Sequence, residues 1–516
     1  MKTIILTLSL VLVQFATLAQ APAIEWQKSF GGTAEEEASS IQQTTDGGYI
    51  VAGYTTSNNG NVTGNHGYSD YWVVKLSATG TIQWQKTLGG TLVDGAYCIQ
   101  QTIDGGYIVA GYTDSNEGDV TGNHGNYDYW VVKLSAAGII EWQKALGGTG
   151  DDYAESIKQT RDGGYIVAGY TNSNNGDVTG NHGGNDIWIV KLSMSGTIQW
   201  QKALGGTFGE STFGSESIQQ TSDGGYITSG FSASYNGDVT NHIGALDYWV
   251  VKLTNTGTIE WEKSLGGTAS EMAYSINQTS DGGYIVGGTT QSNDGDVTVN
   301  HGGNGNDSWI VKLSGTGTIQ WEKTLGGTDD DYIRSIKQTS DGNYIAGGYT
   351  RSNDGDVSGN HGDWDLWIVK LSATGTILWQ KVLGGTGPDG ALSIQQTSDG
   401  GYIAAGSSSW NNGDVTENQG SGDYWVVKLA PDTLSTTDFL GNDLKMFPNP
   451  ATATLTIQNP NNFSISKIII TDLEGKTVRQ QEQNATQINV EQLATGMYIL
   501  QAYSGEEKYT GKFFKK

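Results

Sequence analysis

Cysteine is almost missing from this chain: Cys98 is the only one in 516 residues. That excludes an intramolecular disulfide and a thiolate metal cluster. It stands in Ala96-Tyr97-Cys98-Ile99, where other units carry serine, and reads as a small buried filler. Proline is scarce as well, 6 residues against 76 glycines. With 36% hydrophobic and 10% aromatic residues, there is apolar material for a large core cut by many tight turns, which favours an all-β class. Basic charge is in deficit, 28 Lys and Arg against 54 Asp and Glu, a net −26. Met446–Lys516 carries 7 basic and 6 acidic side chains and the first 20 residues only Lys2, so Ala21–Lys445 holds −28. No basic stripe interrupts that acidity, which excludes a nucleic-acid partner and reads as a soluble surface. Long hydrophobic runs are absent too. Nothing after residue 19 approaches the ~18 consecutive apolar residues of a membrane span.

What is present begins with an export signal. Lys2, the apolar run Ile4–Val13 and the small residues ending at Ala19 predict a cleavable signal peptide over residues 1–19. Gln20 follows the expected cut rather than a cysteine, so no lipid is expected at the mature N-terminus.

Self-similarity dominates the next 400 or so residues. Ile-x-Trp recurs at Trp26, Trp84, Trp142, Trp200, Trp261, Trp321 and Trp379, with spacings of 58, 58, 58, 61, 60 and 58. Each period holds a Ser-Ile-x-Gln-Thr run, an Asp-Gly turn, a Gly-Tyr-Ile run, a long Asn/Gly/Asp loop and an Asp-x-Trp run ending in Lys-Leu. In one unit the predicted strands are Ser156–Thr160, Tyr165–Tyr170, Asp186–Leu192 and Thr197–Leu204, the first pair joined by a hairpin turn at Asp162-Gly163-Gly164. Seven four-stranded units fit a seven-bladed β-propeller over residues 20–430. The last unit lacks an Ile-x-Trp strand and the chain begins with an orphan one, residues 24–28. The N-terminal strand is therefore expected to complete the last blade and close the ring. The units resemble the tandem propeller repeats of exported bacterial proteins, a likeness that implies fold and not activity. Seven Trp in Ile-x-Trp and seven in Asp-x-Trp are expected to carry the contacts between blades, leaving Trp364 and Trp410 outside the pattern.

With strands running alternately up and down, the long loops share one face of the disc. That face carries six histidines, His66, His124, His182, His242, His301 and His361. Repeated residues at blade radius lie on the order of 10 Å apart, too far to gather round one metal, so they are expected to cap the loops. Asp119, Asp177, Asp238, Asp296, Asp356 and Asp414 in the same loops could offer oxygen ligands for weak calcium binding, or form Asx turns. The loops between blades repeat an acid at Glu36, Asp94, Asp152, Glu271, Asp331 and Asp389, with Glu210 in the unit that carries an insertion. These acids, if they ring the channel mouth, would attract a cation or a basic partner; the alternative is solvated loop carboxylates. Together with Trp364 and Trp410 they are the ligand-binding candidates. No nucleophile-base pair or phosphate-binding loop stands out, and nearly every polar group has six equivalents, which disfavours catalysis. The irregular stretches, the insertion Phe208–Ser215 and the segment His242–Leu246, are where ligand specificity is expected.

After a polar linker over residues 431–445 the repeat stops and a different β pattern predicts a small sandwich over residues 446–516. Four motifs occur in order: Phe447-Pro448-Asn449-Pro450, Asp472-Leu473-Glu474-Gly475-Lys476, Leu493-Ala494-Thr495-Gly496-Met497-Tyr498 and Lys512-Phe513-Phe514-Lys515-Lys516. They resemble the type A C-terminal sorting domain of the type IX secretion system. The resemblance implies recognition by that translocon, passage across the outer membrane, and a product secreted or attached to the cell surface. The expected function is a binding or structural module with a glycan or protein ligand; the alternative is a carbohydrate-active enzyme, which would require two carboxylates near the channel without equivalents in other blades.

Overall fold

The computed structural model describes residues 20–301, 305–432, 445–458, 465–472, 476–482, 486–504 and 507–516, and no helix occurs among them. The expected signal peptide, residues 433–444 of the linker and Leu473-Glu474-Gly475 of the sorting motif lie outside the described residues. The chain divides into two compact units, Met1–Asp432 and Thr433–Lys516.

The first unit is built from one hairpin unit repeated. At its first turn Gly47 adopts φ 81°, which an L side chain resists. Thr44 and Gly48 close the turn through backbone bonds, and Asp46 Oδ1 accepts from Gly48 N at 3.0 Å. Blade 1 then runs Glu36–Gln43, Tyr49–Thr55, Asp70–Leu76 and Ile82–Leu88, all antiparallel. Blades 2, 3, 5 and 6 repeat it, beginning at Asp94, Asp152, Glu271 and Asp331. Each first strand starts ahead of the Ser-Ile run, at Asp152 rather than Ser156 in blade 3, so the between-blade acid opens the strand. Blade 4 departs from the pattern: its first strand is split into Glu210–Ser211 and Ile218–Gln220 around the insertion. Blade 7 consists of Asp389–Gln396, Tyr402–Ser408, Asp423–Leu429 and the N-terminal Ile24–Phe30, in which Trp26 pairs with Lys428 and Ser29 with Trp425. The ring is closed as expected, with seven blades.

Both tryptophan series sit between blades. Those of Asp-x-Trp are the largest fully buried side chains, each worth roughly 1.5–3 kcal/mol in burial. Trp130 packs on Tyr71 of the preceding blade at 4.5 Å between centroids, and the Tyr71 hydroxyl donates to the Trp130 carbonyl at 2.8 Å. Tyr424 makes the same bond to Trp72 at the closure. The Ile-x-Trp series, half-buried except for the buried Trp379, meets the next blade edge-on, Trp84 against Tyr107 at 5.7 Å. Each lysine of the Lys-Leu run is buried and reaches back to the Asp-Gly turn of its own blade, as Lys75 does to Asp46 at 2.9 Å.

The second unit has one sheet of Lys445–Phe447, Thr454–Gln458 and Gln487–Asn489, and another of Thr477–Glu482, Lys467–Thr471, Gly496–Ser504 and Glu507–Lys515. Its core includes Leu455, Ile468, Ile470, Leu500 and Phe513. Of the sorting motifs, Tyr498 stacks on Phe513 at 5.7 Å and its hydroxyl donates to the Ala494 carbonyl at 3.0 Å. Phe514 N donates to Asn449 Oδ1 at 2.8 Å, tying the first motif to the last strand. Phe447 is exposed, Gly496 begins the penultimate strand, and Lys512 lies in the last one.

Candidate functional site at the propeller axis

The first strand of each blade faces the axis, and its register breaks at one residue. Ala38 pairs with Gly53 and Ser40 with Ala52, which leaves Ser39 as a bulge. The same shift leaves Tyr97, Glu155, Tyr274, Arg334 and Leu392 unpaired in blades 2, 3, 5, 6 and 7. A bulge re-aims a side chain out of the alternation of its strand. Here it does so at a column where the repeat is not kept, as it is not at the second position of the strand, which holds Glu37, Gly95, Tyr153, Met272, Tyr332 and Gly390. On the loop face, Tyr274, Arg334 and Leu392 help to line a bowl of about 540 Å³ with Glu37, Tyr332, Tyr349, Trp364, Pro388 and Asp389.

Charge in this bowl is unevenly compensated. The Arg334 guanidinium lies 4.0 Å over the Tyr274 ring, and Trp364 packs against Tyr349 at 5.1 Å and Tyr332 at 5.6 Å. Burial pushes the Glu155 carboxyl up to about 7, against the opposing influence of the Gly214 N–H, 3.1 Å away, and of Arg334. Burial also raises Glu37, again opposed by Arg334. Arg334 itself stays charged: burial works against it, but Tyr349, Tyr274, Glu155 and Glu37 outweigh that and raise its pKa.

Blade 4 fills the axis with its insertion. Ser215 O accepts from Ser156 Oγ at 2.8 Å in blade 3 and from Cys98 Sγ at 3.2 Å in blade 2. Glu216, itself buried, pairs at 3.0 Å with Lys158 of blade 3 and at 3.0 Å with Lys337 of blade 6. A segment that reaches blades 2, 3 and 6 from blade 4 lies across the axis. Below it, on the hairpin face, a second cavity of about 320 Å³ is lined by first-strand residues of all seven blades.

The between-blade acids lie inside the blade junctions. Glu36, Asp94, Asp152, Glu210, Glu271, Asp331 and Asp389 are buried, 0–2% exposed. Asp94 shows their use: its Oδ2 accepts from Gly90 N at 2.8 Å and Ser115 Oγ at 2.9 Å, and Thr113 donates to its Oδ1. A Cβ added to Gly89 would meet both Asp94 and Asp70 of the preceding blade within 3 Å, so two carboxylates face each other across that glycine. Of the acids, Asp389 alone borders the bowl, beside Trp364. Trp410 is exposed and lies against Gly387, next to Pro388 of the bowl wall. Five of the histidines hold the Asp-x-Trp aspartate through Nδ1 at 2.6–2.9 Å, and the buried side chain of His242 lies 3.2 Å from Asp247. Asp119, Asp177, Asp238, Asp296, Asp356 and Asp414 each accept from the first Gly N of their Gly-Gly loop, at 3.2–3.4 Å. Among the described residues, no group of three or more His, Cys, Asp or Glu is placed to hold a metal ion.

Sequence reasoning missed Glu37, Glu155, Arg334 and Glu216. For Glu155, Glu216 and Arg334 the signal was available by column: each stands immediately before the Ser of the Ser-Ile run, a position that holds Ser39, Tyr97, Tyr274 and Leu392 in the other units, while Glu37 stands in a second variable column two residues ahead of Ser39.

Residues 445–516 match the family described as the secretion system C-terminal sorting domain. A search of curated proteins found no match. Among solved structures the chain is similar to PorZ, an essential bacterial surface component of the type-IX secretion system of Porphyromonas gingivalis, with 13% identity, a TM-score of 0.40 and coverage of 94% of this chain and 60% of PorZ. It is also similar to a puromycin hydrolase, with 10% identity, a TM-score of 0.42 and coverage of 95% and 63%, and to prolyl oligopeptidase B from Galerina marginata, with 11% identity, a TM-score of 0.40 and coverage of 90% and 55%. The chain thus spans under two thirds of each of these three proteins. Residues 445–516 are a type IX secretion C-terminal sorting domain, joined to a seven-bladed propeller.

Proposed function

We propose that the protein is a binding module displayed at, or released from, the cell surface, and that it holds a glycan in the loop-face bowl. The sorting domain supports the destination, since it directs secretion across the outer membrane through the type IX machinery. One observation carries the ligand site. In a ring built from near-identical blades, the bulge column varies and brings Arg334 and Tyr274 to the bowl, beside Trp364 and beside Glu37 and Tyr332 of a second variable column. Flat aromatic faces with a few oriented polar groups suit a sugar ring, and the guanidinium suits an acidic one. In this reading Trp364 touches ligand, Asp389 backs the bowl wall from within the blade junction, and Trp410 flanks the rim.

Binding of the full-length protein to a glycan array, followed by titration of the best ligand, tests this. Arg334→Gln is expected to weaken that ligand about 10- to 100-fold, the loss of a charge-assisted hydrogen bond. Undiminished affinity in that variant would place the ligand elsewhere.

A specific observation favours glycoside cleavage as a second reading. Glu37 and Glu155 are two carboxylates near the axis, both raised by burial and both acting on Arg334; Glu37 has no acidic equivalent in the other blades, and the one equivalent of Glu155, Glu216, is paired with Lys158 and Lys337. A carboxyl near 7 is poised to donate a proton at neutral pH. Turnover of the bound glycan that disappears in Glu155→Gln while binding persists would establish it.

A further inference from the structure

We infer that the hairpin-face end of the axis is a second site, separate from the bowl, that binds a small oxyanion through its phosphate or carboxylate group. The cavity is rich in donors. Gln42 Oε1 accepts from Gln101 N at 2.6 Å, Gln100 Oε1 from Gln159 N at 2.6 Å and Gln219 Oε1 from Gln278 N at 2.8 Å. A backbone N–H can only donate, so these bonds fix the amide orientation and leave each Nε2 as the free end. Among the described residues those three Nε2 groups have no protein acceptor, and all three glutamines line the cavity. Lys158, Lys337 and Arg161 line it as well, with Glu216 as its only acid. The local balance is three cations against one carboxylate, in a chain of net charge −26.

Glu216 is the key to the test. It bridges Lys158 and Lys337 at 3.0 Å each and thereby occupies part of the positive charge that a bound anion would use. It also anchors the insertion, since Ile276 N donates to its carbonyl at 2.9 Å, a backbone contact that a side-chain substitution leaves in place. The carboxylate is an internal competitor for the oxyanion, and Glu216→Gln frees both ammonium groups without removing a donor.

Isothermal titration of the full-length protein at low ionic strength, with inorganic phosphate in one arm and succinate in the other, decides the matter. Saturable binding at one site per chain is expected, and the stronger arm identifies the source of the oxyanion. Glu216→Gln is expected to tighten it at least about fivefold, the scale of one partly screened ion pair. Arg161→Gln, at an exposed rim position, is expected to weaken it about two- to threefold without disturbing the fold. Absence of saturation by either anion, in the wild type and in Glu216→Gln alike, would overturn the proposal, as would equal affinity in all three proteins. Loss of glycan binding in Arg334→Gln leaves this site untouched, so the two readings fail separately.

Discussion

The residues that hold this ring together work in recurring pairs. A buried tyrosine hydroxyl donates across each of four blade junctions, Tyr71 to Trp130, Tyr129 to Trp188, Tyr248 to Trp309 and Tyr424 to Trp72, all at 2.8 Å. Where the column holds Ile187, Ser308 or Leu366, no tyrosine hydroxyl is available to the next tryptophan carbonyl. Tyr129→Phe removes one bond while keeping the ring, and should destabilise the protein by about 1–2 kcal/mol, the cost of a buried acceptor left with fewer partners. Denaturant unfolding followed by tryptophan fluorescence measures it, and an unchanged midpoint would show that the junction rests on ring packing alone. The axial residues follow the opposite logic. Ser39, Tyr97, Glu155, Tyr274, Arg334 and Leu392 occupy equivalent bulges yet include a hydroxyl, two phenols, a carboxyl, a guanidinium and an aliphatic chain.

At the level of elements, the N-terminal strand decides whether the array is a ring. Ile24–Phe30 supplies the outer edge of blade 7, and Phe30, Val426 and Tyr424 share one core cluster with Trp72 and Val74 of blade 1. Without that strand, Asp423–Leu429 would become an open edge with a buried apolar row, a ready surface for pairing with another chain. A chain lacking Ile24–Phe30 is therefore expected to unfold at lower temperature than the parent and to form soluble oligomers, read by scanning calorimetry and light scattering. A monomer of parental stability would mean that closure contributes little. The split first strand of blade 4 is the other decisive element, because its insertion crosses the axis and separates the bowl from the hairpin-face cavity.

For the whole molecule, two sets of carboxylates set the response to pH in opposite directions. Asp46, Asp104, Asp162, Asp223, Asp281 and Asp399 lie at about 2 in the fold: a burial penalty is outweighed by a threonine hydroxyl, the turn glycine N–H and the buried lysine. Their folded values lie below the ~3.9 of an unfolded aspartate, so they stabilise the fold above about pH 4 and lose that contribution as pH falls toward 2. Burial raises Asp70, Asp128, Asp186, Asp331, Asp389 and Asp423 to about 6. These bind protons in the fold that the unfolded chain releases between about pH 4 and 6, so stability declines as pH rises through that window. The thermal midpoint should accordingly be higher at about pH 5 than at pH 8, and should fall steeply below pH 3. A midpoint at pH 8 above that at pH 5 would show that the facing carboxylates at the blade junctions are relieved in some other way.

Periodicity alone determined the class, the number of blades, the four strands of each and the closing strand. Hydrophobic alternation and turn chemistry are local properties repeated seven times, and repetition averages away their ambiguity. The four C-terminal motifs were equally legible, being short and consecutive. The axial site was not. Side chains that meet there come from blades more than a hundred residues apart, as Glu37 and Arg334 do, and only closure of the ring brings them together. Nor could the sequence tell that the between-blade acids would begin buried strands, because burial depends on the neighbouring blade. Local pattern was enough to specify the blades; the chemistry at their centre exists only once seven of them share an axis.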